Sequence, residues 1–288
     1  MSQSLPRSSA AVWVTEHGAL LVGASSYILS WALWLPLLGR RLGDVTALHT
    51  DFLLLALGGG FMPALSVLLW RLAGGRIPEE ARSGLSRPRA LAPILAAALL
   101  AVPLMAAIGL GAQIALGLPY DLGNLLTRLP VGLGWPLMAA LGEEFAWRGT
   151  LLPLMRRRVG LLRSALMVGI LWGFWHLPAD WIGLKSQGAW FWPEFLLQGP
   201  VLLTAHSIIV TWIWARSGGR VLAAILYHVG ITSSAILLGN QTAFADHGLA
   251  FLGNFIGVAV VLSVSGIAAF KLKNLDRAAG PVASRSGE

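Results

Sequence analysis

ALAPILAAALLAVPLMAAIGLGAQIALGL, the stretch at residues 90–118, contains no charged side chain. A run of about 20 apolar residues is long enough to cross the hydrocarbon core of a bilayer as a helix. The stretch therefore predicts a transmembrane helix, kinked or tilted because Pro103 interrupts it. The composition agrees, since 56% of the residues are apolar, 12% are charged and the mean hydropathy is +0.70. Soluble domains carry about 25% charged residues, so lipid is the expected solvent.

Seven further apolar runs have the length expected of membrane helices or of helices buried among them. They lie at residues 18–38, 52–70, 129–155, 164–177, 194–215, 221–238 and 249–270. We therefore predict an all-α fold, a polytopic membrane bundle of about eight transmembrane helices that forms one domain over residues 1–276. Its functional core is predicted at about residues 129–238. Residues 277–288 have the composition of a disordered tail.

The placement of positive charge predicts the orientation in the membrane. Of the 21 Lys and Arg residues, 16 fall in the termini and even-numbered loops, and 4 fall in the odd-numbered loops. Cytoplasmic loops carry the excess of such residues, so we predict a multi-pass protein of the cell membrane with both termini in the cytoplasm. The net charge of +8 does not indicate nucleic-acid binding, because the arginines form short clusters between apolar runs. The absence of cysteine excludes disulfides, thiolate metal sites and a cysteine nucleophile.

Charged side chains inside a predicted span are costly, so they mark either a structural pair or a functional site. The stretch 142–148, Gly-Glu-Glu-Phe-Ala-Trp-Arg, holds three of them. Glu144 and Arg148 are four residues apart and share a helix face, so they can pair. A buried ion pair that fixes the helix packing accounts for these two residues as well as a functional site does. Glu143 lies about 100° around the helix from Glu144 and lacks that partner. A second carboxylate in this position suits a general base.

Two histidines in neighbouring spans are predicted to reach the same depth as Glu143. Glu143 lies 13 residues before Arg156, His176 lies 13 after Arg163, and His228 lies 8 after Arg220. At about 1.5 Å per residue these separations correspond to roughly 20, 20 and 12 Å from the cytoplasmic edge. A lone histidine on an apolar helix is usually a core residue, and His206 is interpreted in that way. The other two histidines are predicted to meet Glu143 in one cavity.

These residues resemble the motifs of the CAAX protease and bacteriocin-processing (CPBP) intramembrane proteases, which include the type II CAAX prenyl endopeptidases. Glu143, Glu144 and Arg148 match the family's Glu-Glu-x-x-x-Arg. His176 matches Phe-x-x-x-His with Trp172 in the place of Phe. His228 matches the third motif, with Thr232 in the place of the Asn or Asp four residues later.

The resemblance implies an intramembrane endopeptidase that cleaves a membrane-associated or lipidated peptide or protein within the lipid bilayer. It implies that Glu143 and His176 activate water, that His228 and Thr232 stabilise the oxyanion, and that Glu144 and Arg148 hold the helix in register. The change to Thr232 matters most, because a threonine hydroxyl has a shorter reach than an asparagine amide.

Three alternatives stay open from the sequence. Glu143, His176 and His228 form a donor set that also suits catalytic zinc, although no His-Glu-x-x-His stretch is present. The chain is alternatively a non-catalytic scaffold or immunity protein. A proton-coupled transporter also uses intramembrane charges, but such transporters usually contain an internal repeat, which we do not find in this sequence.

Overall fold

The computed structural model describes residues 8–39, 50–82, 85, 90–117, 125–238 and 249–278. Within these ranges every regular element is helical, which confirms the predicted all-α class. We number the α-helices in chain order. They are α1 Ser9–Glu16, α2 Gly18–Trp34, α3 Thr50–Gly60, α4 Met62–Leu72, α5 Ala92–Ala115, α6 Leu125–Ala146, α7 Leu152–Val159, α8 Leu161–Trp175, α9 Leu177–Leu184, α10 Phe191–Leu196, α11 Thr204–Arg216, α12 Val221–Leu238 and α13 Leu249–Ala278.

Four helical segments of the described residues are long and apolar enough to cross a membrane. They are Gly18–Leu37, Ala92–Ala115, Gly188–Arg216 and Phe255–Arg277. A fifth arises if Leu54–Gly60 and Met62–Leu72 count as one span, which bends by 49° at its break. Helices also cover the remaining predicted runs, but they are shorter, less apolar or interrupted. The chain is a multi-pass helical protein, and the count of eight spans and the cytoplasmic termini stay predictions.

The element that carries Glu143 is longer than the predicted run at 129–155. Helix α6 starts at Leu125, passes through a π-helical turn at Trp147–Leu151, and continues as α7 to Val159. π-helical turns occur frequently at functional sites, because they redirect side chains within a helix. The turn here includes Arg148 and follows both glutamates directly.

Two glycines allow the helices around this segment to pack very closely. A Cβ on Gly142 would overlap the carbonyl group of Gly60 at the end of α3. A Cβ on Gly173 in α8 would lie 2.5 Å from the Cα of Pro200, which is shorter than real contacts. Small residues let helix backbones approach in this way in membrane proteins. The two close approaches fix α6 and α8, which carry the predicted site, against their neighbours.

Other features were not predicted from the hydropathy pattern. Ser8 caps the short helix α1 by accepting a hydrogen bond from the Ala11 amide at 3.3 Å, and α9 extends the chain beyond the fifth predicted run. Helix α13 continues to Ala278, two residues into the predicted tail. The rest of that tail, 279–288, and residues 1–7 lie outside the described residues.

Candidate active site

The three charged side chains of the Glu-Glu-x-x-x-Arg stretch are buried. Glu143 is 3% exposed, and Glu144 and Arg148 are 0% exposed. A buried charge is stable only when it is paired or hydrogen-bonded. The partners of these three side chains therefore define the site.

Glu143 is held by two indole groups. The Nε1 of Trp172 donates a hydrogen bond of 2.6 Å to Oε2 of Glu143, and the Nε1 of Trp147 donates one of 3.3 Å to the same oxygen. Trp147 lies one turn further along the same helical segment, whereas Trp172 comes from α8. The sequence predicted only that Glu143 lacks the arginine partner of Glu144. The carboxylate is instead oriented by neutral donors that leave it without a countercharge on Oε2.

Glu144 is the centre of an ion-pair cluster. Its Oε1 accepts a hydrogen bond of 2.8 Å from Nη1 of Arg148 and one of 3.0 Å from Nδ1 of His228. The predicted i,i+4 pair between Glu144 and Arg148 is therefore present. Because an ionised carboxylate only accepts hydrogen bonds, this contact places a proton on Nδ1 of His228. Its Nε2 is the atom that is left to face a ligand.

Trp172 contacts four of the predicted site residues, namely Glu143, Arg148, His176 and His228. Its indole bonds Glu143, and the guanidinium carbon of Arg148 lies 4.6 Å from the centre of its ring. The ring of His228 packs edge-on against it at 5.0 Å between centroids. Its backbone oxygen accepts a hydrogen bond of 2.9 Å from Nδ1 of His176. Glu143, His176 and His228 therefore come together around one tryptophan.

His176 ends helix α8 and is partly exposed, unlike the two glutamates. A carbonyl oxygen only accepts, so Nδ1 carries the proton in the contact with Trp172. Nε2 of the neutral ring is then an acceptor, which suits a group that orients water. Thr232 lies one helical turn beyond His228 in α12 and is partly buried, as its spacing predicted.

The geometry gives no support to the zinc alternative. Among the described residues, no group of three or more His, Cys, Asp or Glu side chains is arranged to hold a metal ion. The ring atom Nδ1 of His228 is also engaged by Glu144.

Comparison with known proteins gives a match over the same part of the chain. Residues 125–234 match the family model of the type II CAAX prenyl endopeptidases, described as Rce1-like. The predicted resemblance is thereby confirmed. CAAX prenyl protease 2 from Methanococcus maripaludis is 25% identical over 134 residues, which cover 44% of this chain and 47% of that protein. The chain thus spans about half the length of this curated relative.

The Rce1-like segment contains all seven residues that the motifs singled out, and it nearly coincides with the predicted core at 129–238. Trp172 and Thr232 are the two departures from the family's motifs that the sequence revealed. Trp172 keeps the aromatic character of the family's phenylalanine. The structure adds a consequence, because a phenylalanine at this position has no donor for Glu143.

A third histidine of the Rce1-like segment also lies near the site. His206 is 4% exposed, and its Nδ1 shares a hydrogen bond of 2.9 Å with the hydroxyl of Tyr227. Tyr227 precedes His228 directly in α12. The sequence interpretation of His206 as a structural residue agrees with this buried pair. Nothing in the motifs indicated Tyr227, because its partner lies 21 residues away in the chain.

Asp180 adds a titratable group next to His176, in helix α9 between the candidate spans. Burial raises the pKa of Asp180 to about 6; the charge of His176 lowers it, and that of Glu194 raises it. The folded state therefore favours protonated Asp180 more than the unfolded state does. Its stabilising effect is complete below the ordinary pKa near 4 and is lost as the pH rises through about 6.

We expect Asp180→Asn to raise the thermal unfolding midpoint at pH 7.5, where the native carboxylate is ionised. The difference from the unchanged protein should shrink as the pH falls from 7 to 4, since the two side chains are then both neutral. Thermal unfolding of both proteins in detergent across this range measures it. A difference that does not depend on pH would show that Asp180 does not titrate in this window.

Proposed function

We propose that this protein is an intramembrane endopeptidase that hydrolyses a peptide bond with a water molecule activated by Glu143 and His176. The observation that carries the proposal is the convergence of Glu143, His176 and His228 around Trp172. The match of residues 125–234 to the Rce1-like model supports the same reaction class.

Water attack requires a base and an acceptor that directs the nucleophile. Both indoles bond Oε2 of Glu143, so Oε1 is the oxygen that takes the proton from water. Nε2 of His176 accepts the second hydrogen bond of that water. This contact orients the water so that a lone pair of its oxygen points at the scissile carbonyl carbon. A positioned general base contributes about 10²- to 10⁴-fold to a rate.

The carbonyl oxygen becomes an oxyanion when the water oxygen bonds to the carbon. Glu144 engages His228 through Nδ1, so Nε2 is the ring atom that faces this oxygen and donates to it when it carries a proton. The hydroxyl of Thr232 is the second donor, in the place of the family's asparagine. The proton on Glu143 then passes to the departing amine nitrogen, the carbon–nitrogen bond breaks, and the products are a carboxylic acid and an amine.

The substrate that fits best is a peptide or protein held at the membrane, and a lipidated C-terminus is its expected form. The name of the Methanococcus maripaludis relative, CAAX prenyl protease 2, supports this substrate class. Comparing the membrane peptides of cells that express the protein or its Glu143→Gln variant tests the proposal. The uncleaved substrate should accumulate in the variant, and identical peptide profiles would contradict an endopeptidase.

The departure at Trp172 gives a prediction about the orientation of Glu143. Trp172→Phe keeps an aromatic ring against Arg148 and His228 but removes the donor to Glu143. Hydrogen bonds to charged groups contribute about 1.5–3 kcal/mol, so we expect kcat/KM to fall by about 10- to 100-fold. The measurement is cleavage of a membrane peptide by the purified protein.

Trp70→Phe is the matched control, because it removes the indole donor to the backbone oxygen of Val14 at 2.9 Å, away from the site. It should alter stability without changing kcat/KM. If both variants retained full activity per folded molecule, Trp172 would have no role in orienting the base.

The departure at Thr232 gives a prediction of opposite sign. Thr232→Asn restores the family's residue and its longer amide donor, so we expect kcat/KM to rise about fivefold, as for one neutral hydrogen bond of ~1 kcal/mol. Thr232→Val, which has a similar shape without the hydroxyl, should lower it. Equal activity of all three proteins would remove Thr232 from the oxyanion site.

A further inference from the structure

A groove of about 650 Å³ lies on the side of the molecule formed by α1, α2, α7 and α8. Ligand pockets usually measure about 300–1,000 Å³, so this groove is large enough for a small molecule or an acyl chain. None of the seven residues assigned to the proposed active site lines it. The groove is therefore a separate feature of the fold.

Small side chains on one helix create the hollow. Ala19, Gly23 and Ala24 follow each other on one face of α2, and all three line the groove. Large apolar side chains surround them on both sides, including Leu20 and Ile28 from α2 and Met167 from α8. Leu20 is 69% exposed and Ile28 is 67% exposed, so the lining is open to an apolar ligand.

Positive charge is concentrated at one end of this apolar groove. Arg157 and Arg158, in the last turn of α7, both line it, and the side chain of Arg158 is exposed. Nη2 of Arg158 donates a hydrogen bond of 2.7 Å to the backbone oxygen of Glu16, which uses one of the five donors of its guanidinium. The exposed carboxylate of Glu16 is the only acidic side chain among the lining residues. The lining of the groove therefore includes two guanidinium groups and one carboxylate.

We propose that this groove binds an anionic phospholipid, with its phosphate at Arg157 and Arg158 and an acyl chain along α2 and α8. An apolar groove that ends in arginines fits a ligand with an anionic head and a long apolar tail. Guanidinium groups form strong charge-assisted hydrogen bonds with phosphate. Basic pockets between membrane helices are the usual sites for anionic lipid headgroups. A free phosphate does not explain the apolar length of the groove.

The position of the groove suits a lipid that stabilises the helix packing. The groove joins the N-terminal helices to α7 and α8, because α1 and α2 supply one wall and α7 and α8 supply the other. The hydroxyl of Tyr27, on the lining, also donates a hydrogen bond to the backbone oxygen of Leu171 across this wall. An acyl chain in the groove would bury the exposed apolar side chains of both walls together. The proposal does not depend on the protease activity.

Native mass spectrometry of the delipidated full-length protein, titrated with phosphatidylglycerol and with phosphatidylcholine, tests the proposal. We expect one phosphatidylglycerol to bind with higher affinity than phosphatidylcholine. The variant Arg157→Gln with Arg158→Gln should bind phosphatidylglycerol about 10- to 30-fold more weakly, as expected for the loss of two headgroup contacts. The variant Arg163→Gln with Arg216→Gln loses the same charge at exposed positions outside the groove, and it should bind like the unchanged protein.

A second variant tests the groove rather than the charge. Ala24→Trp fills the hollow and leaves both arginines in place, so it should also lose the bound lipid while its far-ultraviolet circular dichroism stays unchanged. Equal weakening by both arginine pairs would show a general charge effect and overturn the proposal. Equal affinity for the two lipids would overturn it as well. Displacement of the lipid by a prenylated peptide at equal concentration would assign the groove to the substrate instead.

Discussion

Glu143→Gln is expected to lower kcat for peptide cleavage by about 10²- to 10⁴-fold, the usual contribution of a general base. The substitution is designed to leave the site intact. Trp147 and Trp172 both donate to Oε2, so the amide oxygen of glutamine can accept both hydrogen bonds in its place. Only the ability to take a proton from water is removed. Single-turnover cleavage by the purified protein, with circular dichroism to verify the fold, measures the effect.

Glu79→Gln is the control for this experiment. Glu79 is exposed, lies in the turn Glu79–Arg82 and is far along the chain from the Rce1-like segment. The control variant should cleave like the unchanged protein. Cleavage that persists at the normal rate in Glu143→Gln would eliminate Glu143 as the base. If the protein is a scaffold or a transporter, it cleaves nothing itself. Equal cleavage by the unchanged protein and by Glu143→Gln would then come from a contaminating protease.

Local sequence patterns were sufficient to predict the all-α class, the longest apolar helix and one pair of the site. The apolar run at 90–118 contains the helix Ala92–Ala115. Bilayer thickness sets the length of such a run, and it is helical because a single segment in hydrocarbon must satisfy its own backbone hydrogen bonds. The pair between Glu144 and Arg148 follows from helical periodicity. The contact between Trp147 and Glu143 has the same spacing, so it was also predictable.

Contacts between distant segments could not be predicted in this way. Trp172 and Glu143 are 29 residues apart, and His228 and Glu144 are 84 apart. Both contacts depend on how closely α8 and α12 approach α6, which hydropathy does not specify. The bend of 49° between Leu54–Gly60 and Met62–Leu72 is a similar case. Apolar content predicted one run at 52–70, whereas the structure breaks it at Phe61, between Gly60 at the end of α3 and Pro63 in the first turn of α4.

Arg148→Met is expected to destabilise the fold by about 3–5 kcal/mol, the usual cost of removing one partner from a buried ion pair. The fully buried carboxylate of Glu144 would then keep only His228 as a charged partner. The guanidinium also packs over Trp172 at 4.6 Å, so its loss removes a second contact. Unfolding by SDS titration in mixed micelles, followed by circular dichroism, measures the change in the free energy of unfolding.

Arg71→Met is the matched control, because Arg71 also lies over a tryptophan ring, at 5.4 Å from the centre of Trp70, but is exposed. Exposed contacts of this kind contribute about 0.5–1 kcal/mol, so the control should lose much less stability.

Combining Arg148→Met with Glu144→Gln removes both charges, and the double variant should be more stable than Arg148→Met alone. If it were less stable, the cost would come from lost packing rather than from an unpaired carboxylate. Cleavage per folded molecule then separates the two roles of the cluster: a structural pair leaves it unchanged, whereas a pair that holds His228 for the oxyanion lowers it in both variants.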